Sequence, residues 1–466
     1  MVQNRRSDPV DTVFVGGTVM DAGGRYRPGT GIAVSDGVIV AVATEERLPP
    51  ADRTVDIDGK LLTPGIVDDH IHHRVPGQEY KEDWETATCA AAAGGVTTVV
   101  GMPNTDPIID RMDVVETTFE AAGADAHVDY QLHVVVTSDN LDRLEALADA
   151  GIAGFKVFLG RTVGGIEAPN DGELLDAMET VADLGKRLGF HEENDEIRHH
   201  REWQYRDEDK TAAIWHNRSR PPIAEAEAVS RVCLFADHTG CPVHMFHLSS
   251  GSAAQRLAEW REKGVDATSE TCPHYLWFTE DIVEKRGAQA RVQPPLRSKD
   301  ERDRLWAVGM DGGAVDCIAT DHAPHTDAEK ALEDPDQTVW ETSGGFVGVE
   351  TQVPAMLTFV DEGRLSLRRW VAMHTKRPAE IWGMYPQKGS LAVGTDADFT
   401  VVDPDERWTL DRETLHSKNT PTVWDDASFV GAVEMTVLRG EVVYDGDRVI
   451  GEPGDGRRAE TDTVSG

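Results

Sequence analysis

The chain has 466 residues, 39% of them hydrophobic and 28% charged, a composition that belongs to a folded globular protein and excludes a disordered one. Its 83 acidic and 46 basic side chains leave a formal charge of −37, with the acids dispersed rather than in blocks, which disfavours nucleic acid and anionic membranes as partners. No run approaches the ~18 consecutive apolar residues of a membrane span, and five scattered cysteines without a CxxC pair speak against a disulfide framework or a thiolate zinc knuckle.

Residues 1–60 are short β-like runs broken by glycine: TVFVGGTVM, GIAVSDGVIVAV and TVDIDGKLL. Two arginines stand near the start, but no apolar stretch follows them, so no signal peptide is read and a cytoplasmic location is expected. From 61 to 384, short apolar runs alternate with helical patterns, the signature of βα units on a parallel sheet. Eight strand candidates follow one another: GIVDDHIHH (65–73), GVTTVVGMP (95–103), HVDYQLHVVV (127–136), GIAGFKVFLG (151–160), KRLGFHEEN (186–194), CPVHMFHLSS (241–250), VDATSETCPHYL (265–276) and AVDCIATDHAPH (314–325). Eight strands with helical crossovers predict an α/β fold, a closed (β/α)8 TIM barrel. An open doubly wound sheet would carry GxGxxG after its first strand, which is missing here. Residues 385–450 return to short strands, so the two β-rich ends are expected to form one small β-sandwich. Residues 451–466 read as a flexible tail.

Most of the strand candidates end in polar clusters, and barrels of this kind build their sites at the C-terminal strand ends. Strand one ends in His70-Ile71-His72. Residues two apart on a strand share a face, roughly 6.6 Å apart, a spacing two imidazoles can use to converge on one ion. Strands five, six and eight end at His191, His247 and Asp321, and strand four carries Lys156 inside GFKVFLG. An ammonium among apolar neighbours is costly unless paired or neutralised. Two readings of Lys156 stand: an ion pair with a neighbouring carboxylate, or a carbamate formed with CO2. Together these residues predict a metal centre.

The motifs PGIVDDHIHHR, MPNTDP, GFKVFLG, HEEN, HLSS, ETCPHYL, IATDHAPH and KGSLAVGTDADFTVVD span nearly the whole chain. In them the sequence resembles the amidohydrolase superfamily, and within it the cyclic amidohydrolases: dihydroorotase, allantoinase and the hydantoinase/dihydropyrimidinase group. The resemblance implies two divalent ions, one held by His70, His72 and Asp321 and the other by His191 and His247, with carboxylated Lys156 bridging them. Such ligands suit zinc. It also implies hydrolysis by a metal-activated hydroxide, with Asp321 as the base that moves the proton.

Within the group, dihydroorotase is the nearest match. Its substrate carries a carboxylate, and there the residues matching Arg74, Asn104 and His325 hold it. A planar guanidinium binds a carboxylate bidentately, a contact of no use to a neutral ring. Gln293, in VQPPLRS, stands where many dihydroorotases have Asn, while HEEN and RPPIAEAEAV read equally well for allantoinase and hydantoinase. The implied reaction is the reversible cyclisation of N-carbamoyl-L-aspartate to dihydroorotate in pyrimidine biosynthesis. The alternative is an allantoinase or hydantoinase acting on a neutral cyclic amide. A homo-oligomer is expected, with aspartate transcarbamoylase as a candidate partner. A catalytically silent homologue should show a broken ligand set, and here all six positions are filled.

Other histidines are assigned no role. His199, His200 and His216 lie in a polar segment read as solvated, His244 is expected to face away from the site on a regular strand, and His274 is left open between a supporting and a structural part. The charge, with arginine in excess of lysine, also resembles proteins adapted to a high-salt cytoplasm.

Overall fold

A computed structural model of the chain describes residues 9–160, 165–334 and 336–462. The helical patterns become helices for identifiable reasons. Over Asp171–Asp183 the residues Leu174, Ala177, Met178 and Val181 form one buried stripe. Asn170 caps it by accepting the N–H groups of Gly172 and Glu173, while Glu173 reaches back to the Asn170 N–H. Pro222–Thr239 begins with proline in its first turn and ends at Gly240, whose φ of +73° an L side chain would resist.

Between the helices run eight parallel strands in sequential order. These are β1 (Ile66–Ile71), β2 (Val96–Gly101), β3 (Asp129–Val135), β4 (Gly154–Phe158), β5 (Leu188–His191), β6 (Val243–Met245), β7 (Ala267–Thr271) and β8 (Cys317–Ile318). An Ile71–His322 bridge, with His72 N–H donating to the His322 carbonyl at 2.8 Å, joins the last strand to the first. All eight sequence-predicted strands are present, and the fold is the expected TIM barrel.

The interior near the N-terminal strand ends is filled by Trp382, stacked 5.7 Å from Phe246. Glycines on the two neighbouring strands make this packing fit. A Cβ on Gly154 would come within 2.6 Å of the Trp382 ring, and one on Gly189 within 2.0 Å of Phe246. The C-terminal end is thereby left to polar side chains.

The chain ends form two further sheets. A four-stranded sheet uses residues between 10 and 56, and a six-stranded one joins Thr18–Met20, Tyr26–Pro28 and Leu61–Pro64 to Phe399–Thr409, Ser428–Leu438 and Glu441–Tyr444. Phe14, Ile32, Leu62, Phe399 and Val437 pack between them, so both termini build one sandwich as expected. Two boundaries differ from the sequence reading. Leu61–Pro64 pairs antiparallel with Phe399–Val402, so the sandwich extends past residue 60 and the first barrel strand starts at Ile66. The segment read as a flexible tail is docked as far as residue 462. Its Arg457 carbonyl accepts from Tyr130 N–H, Ala459 N–H donates to the Tyr130 carbonyl, and Ala459 is buried. These are backbone bonds to β3, which composition cannot reveal. The five cysteines are unpaired. No helix among the described residues is long and apolar enough to cross a membrane.

Candidate metal centre and anion pocket

The barrel brings the six predicted ligand positions to one place at the C-terminal strand ends. His70, His72 and Asp321 offer donor atoms within 4.8 Å of one another. Asp321 Oδ1 lies 3.2 Å from His70 Nε2 and 3.0 Å from His72 Nε2. Beside them, His191 Nδ1 is 2.9 Å from His247 Nε2, and the His70 and His247 rings are 5.3 Å apart. Burial pushes the His70, His72, His191 and His247 imidazoles down from their usual value, so each offers a neutral ring, the form that binds a metal.

Lys156 lacks, among the described residues, the contact that one of its two readings, the ion pair, requires. Its side chain is fully buried, with Nζ 3.7 Å over the Phe246 ring and without a hydrogen-bond partner among the described residues. Among the described residues no carboxylate lies within ion-pair distance, so the simple salt bridge is absent there. Burial pulls its pKa down to about 8, against the raising influence of Glu192, Glu270 and Asp321. An orphaned, readily neutralised amine among four imidazoles and a carboxylate fits a donor set completed by divalent ions, with the lysine modified to an oxygen ligand.

Three candidate residues hold left-handed backbone: Arg74 at φ +63°, His247 at +40° and Asp321 at +48°. Such conformations cost about 1–3 kcal/mol each and concentrate at functional sites. For His247 the bend explains how it enters the centre. Phe246 faces into the barrel, so a regular strand would point His247 away. The expectation for His244 is corrected by the same alternation: it shares the inward face with Phe246 and lies in the barrel interior, 3.4 Å from Glu270 Oε2.

The candidate anion-binding residues are brought together in part. Arg74 is buried, and its Nη2 is 3.3 Å from His325 Nε2. That nitrogen is also 3.1 Å from the Gly344 carbonyl, and one ring nitrogen cannot donate to Gly344 and accept from Arg74 at once. Arg74 Nε and Nη1 have no partner among the described residues. Burial lowers the guanidinium pKa to about 10. Of the nearby acids, Asp83 pairs with Lys418, and Glu82 accepts from Thr86 and the Lys418 N–H. Asn104 turns its oxygen to His72 Nδ1 at 2.6 Å, a ligand-orienting contact rather than a free one. Gln293 lies 3.5 Å from His216 and packs under Gly344, one step removed from Arg74.

Several residues escaped sequence reasoning. Lys81, 4% exposed, pairs with Glu329 at 2.9 Å and reaches 3.4 Å from His325 Nδ1, which adds a second cation to the pocket. Glu193 accepts from His191 Nε2 at 2.9 Å and from Arg220. His216, expected to be solvated, is buried at 2%, because the segment Ile214–Ser219 folds over the barrel mouth against Leu296 and Gln293. His274 is buried, its Nε2 without a partner among the described residues, and packs on Phe346. A usable signal existed only for Lys81, two residues beyond an exposed-looking GQE run but adjacent to the acidic EDWET.

The amidohydrolase family model matches residues 61–443. An allantoinase from Solibacter usitatus is 37% identical over 446 residues, covering 94% of each chain. A dihydroorotase from Trichlorobacter lovleyi is 32% identical over 438 residues, 94% of this chain and 100% of the relative. Among solved structures, the L-hydantoinase (dihydropyrimidinase) from Arthrobacter aurescens superimposes with a TM-score of 0.93 at 31% identity, over 97% of this chain and 100% of that one.

Proposed function

The chain belongs to the amidohydrolase family and is a hydrolase of cyclic amides; from that premise we propose that its substrate ring bears a carboxylate and that it acts as a dihydroorotase, interconverting N-carbamoyl-L-aspartate and dihydroorotate. One observation carries this reading: the buried Arg74 guanidinium, with Nε and Nη1 unpartnered and no carboxylate at ion-pair distance among the described residues. A buried, unpaired cation is costly, and a substrate anion that completes its bonds repays that cost on binding. Lys81 beside it adds to the positive field, with Glu329 as the shared counter-charge.

His70, His72 and Asp321 would hold one divalent ion, His191 and His247 the other, and Lys156, as a carbamate, would reach both. Bound there, the ions would polarise the ring carbonyl and acidify water. The protein's own part is distinct. Arg74 and His325 fix the carboxylate and so orient the ring. Asp321, between the two histidines, takes the proton released at attack and returns it to the leaving amide nitrogen. In the cyclisation direction the same carboxylate works in reverse.

A neutral ring is the second reading, favoured by Asn104, whose oxygen serves His72 rather than the pocket. Rates on dihydroorotate, allantoin and dihydrouracil with one zinc-loaded sample separate the two. Arg74→Met should remove roughly 1.5–3 kcal/mol of charge-assisted contact, a loss of about tenfold to a few hundredfold in kcat/KM on dihydroorotate. Lysine there should restore only part, neutral rings should lose far less, and metal content should hold. Equal losses on charged and neutral rings, or a wild type that prefers allantoin, would transfer the assignment to the neutral-ring enzymes.

A further inference from the structure

Glu270, on β7, is fully buried and faces the barrel interior. Its Oε1 lies 2.6 Å from His70 Nδ1 and also accepts the His247 backbone N–H at 3.0 Å. Its Oε2 lies 3.4 Å from His244 Nε2, and His244 Nδ1 in turn lies 2.9 Å from Thr268 Oγ1 on the same strand. One carboxylate therefore touches a candidate ligand of each ion and is braced from below by a third histidine.

The contacts have chemical consequences. His70 turns Nε2 to Asp321, so a carboxylate at Nδ1 fixes the proton there and leaves the Nε2 lone pair for a metal. His247 holds a left-handed φ of +40°, which an L side chain rarely adopts, and the N–H bond to Glu270 pins the backbone at that bend. Without the bend, strand alternation would carry the His247 imidazole out of the barrel, since Phe246 occupies the inward position.

We propose that Glu270 is a positioning residue of the metal centre: it sets the His70 tautomer and holds the His247 backbone, so that the two ligand pairs keep one spacing. It is not itself a ligand in this assignment. The proposal rests on the metal-centre reading and not on which ring is opened.

Zinc affinity, measured by competition with a chromophoric chelator, tests it. Glu270→Gln keeps the shape but cannot serve as a charged acceptor for His70, and zinc should bind about 10–100-fold more weakly. Glu270→Asp should recover part of the affinity. The metal-free variant should melt close to the metal-free wild type. Zinc affinity unchanged in Glu270→Gln overturns the proposal, as does a lowered melting temperature with affinity intact. Should that variant fail to fold, 15N-histidine NMR of the zinc-loaded wild type decides: a proton on His70 Nδ1 supports the proposal, and a proton on Nε2 overturns it. A wild type that holds no zinc would end the metal-centre reading itself, an outcome separate from unchanged affinity in the variant.

Discussion

Two buried lysines are treated in opposite ways by the same barrel. Lys388, near the N-terminal strand ends where barrel meets sandwich, is ringed by Asp129, Asp396 and Asp398, with Arg439 adding a second cation to Asp129. Burial works against its ammonium, but the three carboxylates raise its pKa far above the usual value. Lys156, near the C-terminal strand ends, is as deeply buried, but its Nζ lies over aromatic faces, and Glu192, Glu270 and Asp321 act on it only from beyond ion-pair distance. The contrast teaches where to look for chemistry. A satisfied buried charge is structural, whereas an orphaned one is an expense that folding alone does not explain.

The largest expected effect comes from breaking the orphan. Lys156→Met keeps the length of the side chain and should cost activity more than the about 10–100-fold that partners of ligands carry. It should also lower the zinc content by one or both ions, while metal-free stability holds or rises because a desolvated amine is gone. Metal analysis with calorimetry checks this, and a variant that keeps two ions and full rate would make Lys156 structural.

Breaking the satisfied lysine should do the reverse. Lys388→Met leaves Asp396 and Asp398 without their ion-pair partner and Asp129 with Arg439 alone, and should destabilise the fold by about 3–5 kcal/mol, measured by denaturant titration. Turnover per folded molecule should stay at the wild-type value. A large fall in kcat with stability intact would erase the distinction drawn above.

The smallest effect concerns the surface, where the −37 charge resides. At about 1 M KCl the Debye length is near 3 Å, which screens exposed acids but reaches buried pairs little. The melting temperature should therefore rise by a few degrees in molar KCl, and by a similar amount in Lys388→Met, because the buried network is not what salt relieves. A melting temperature that is flat or falls with salt would remove the halophile reading.

The sequence by itself determined the barrel and set the candidate ligand residues at its strand ends. Strand alternation and helical periodicity are local, so eight βα units and the polar residues at their ends can be read from neighbours along the chain. His70 and His72, two apart at the C-terminal end of β1, are the plainest instance, and Lys156 within GFKVFLG announced its burial through the residues beside it. Arg74 was legible as a residue type suited to an anion, but its lack of a partner was not. That depends on Asp83 pairing with Lys418, more than 300 positions away, and on His325 being claimed by Gly344. The tertiary structure likewise decided the left-handed bend at His247, the place of Glu270 between two ligand pairs, the burial of His216 and the docking of residues 451–462 on β3. Each is a contact between segments distant in sequence, formed because closing the barrel removes polar groups from water and obliges them to find partners across it.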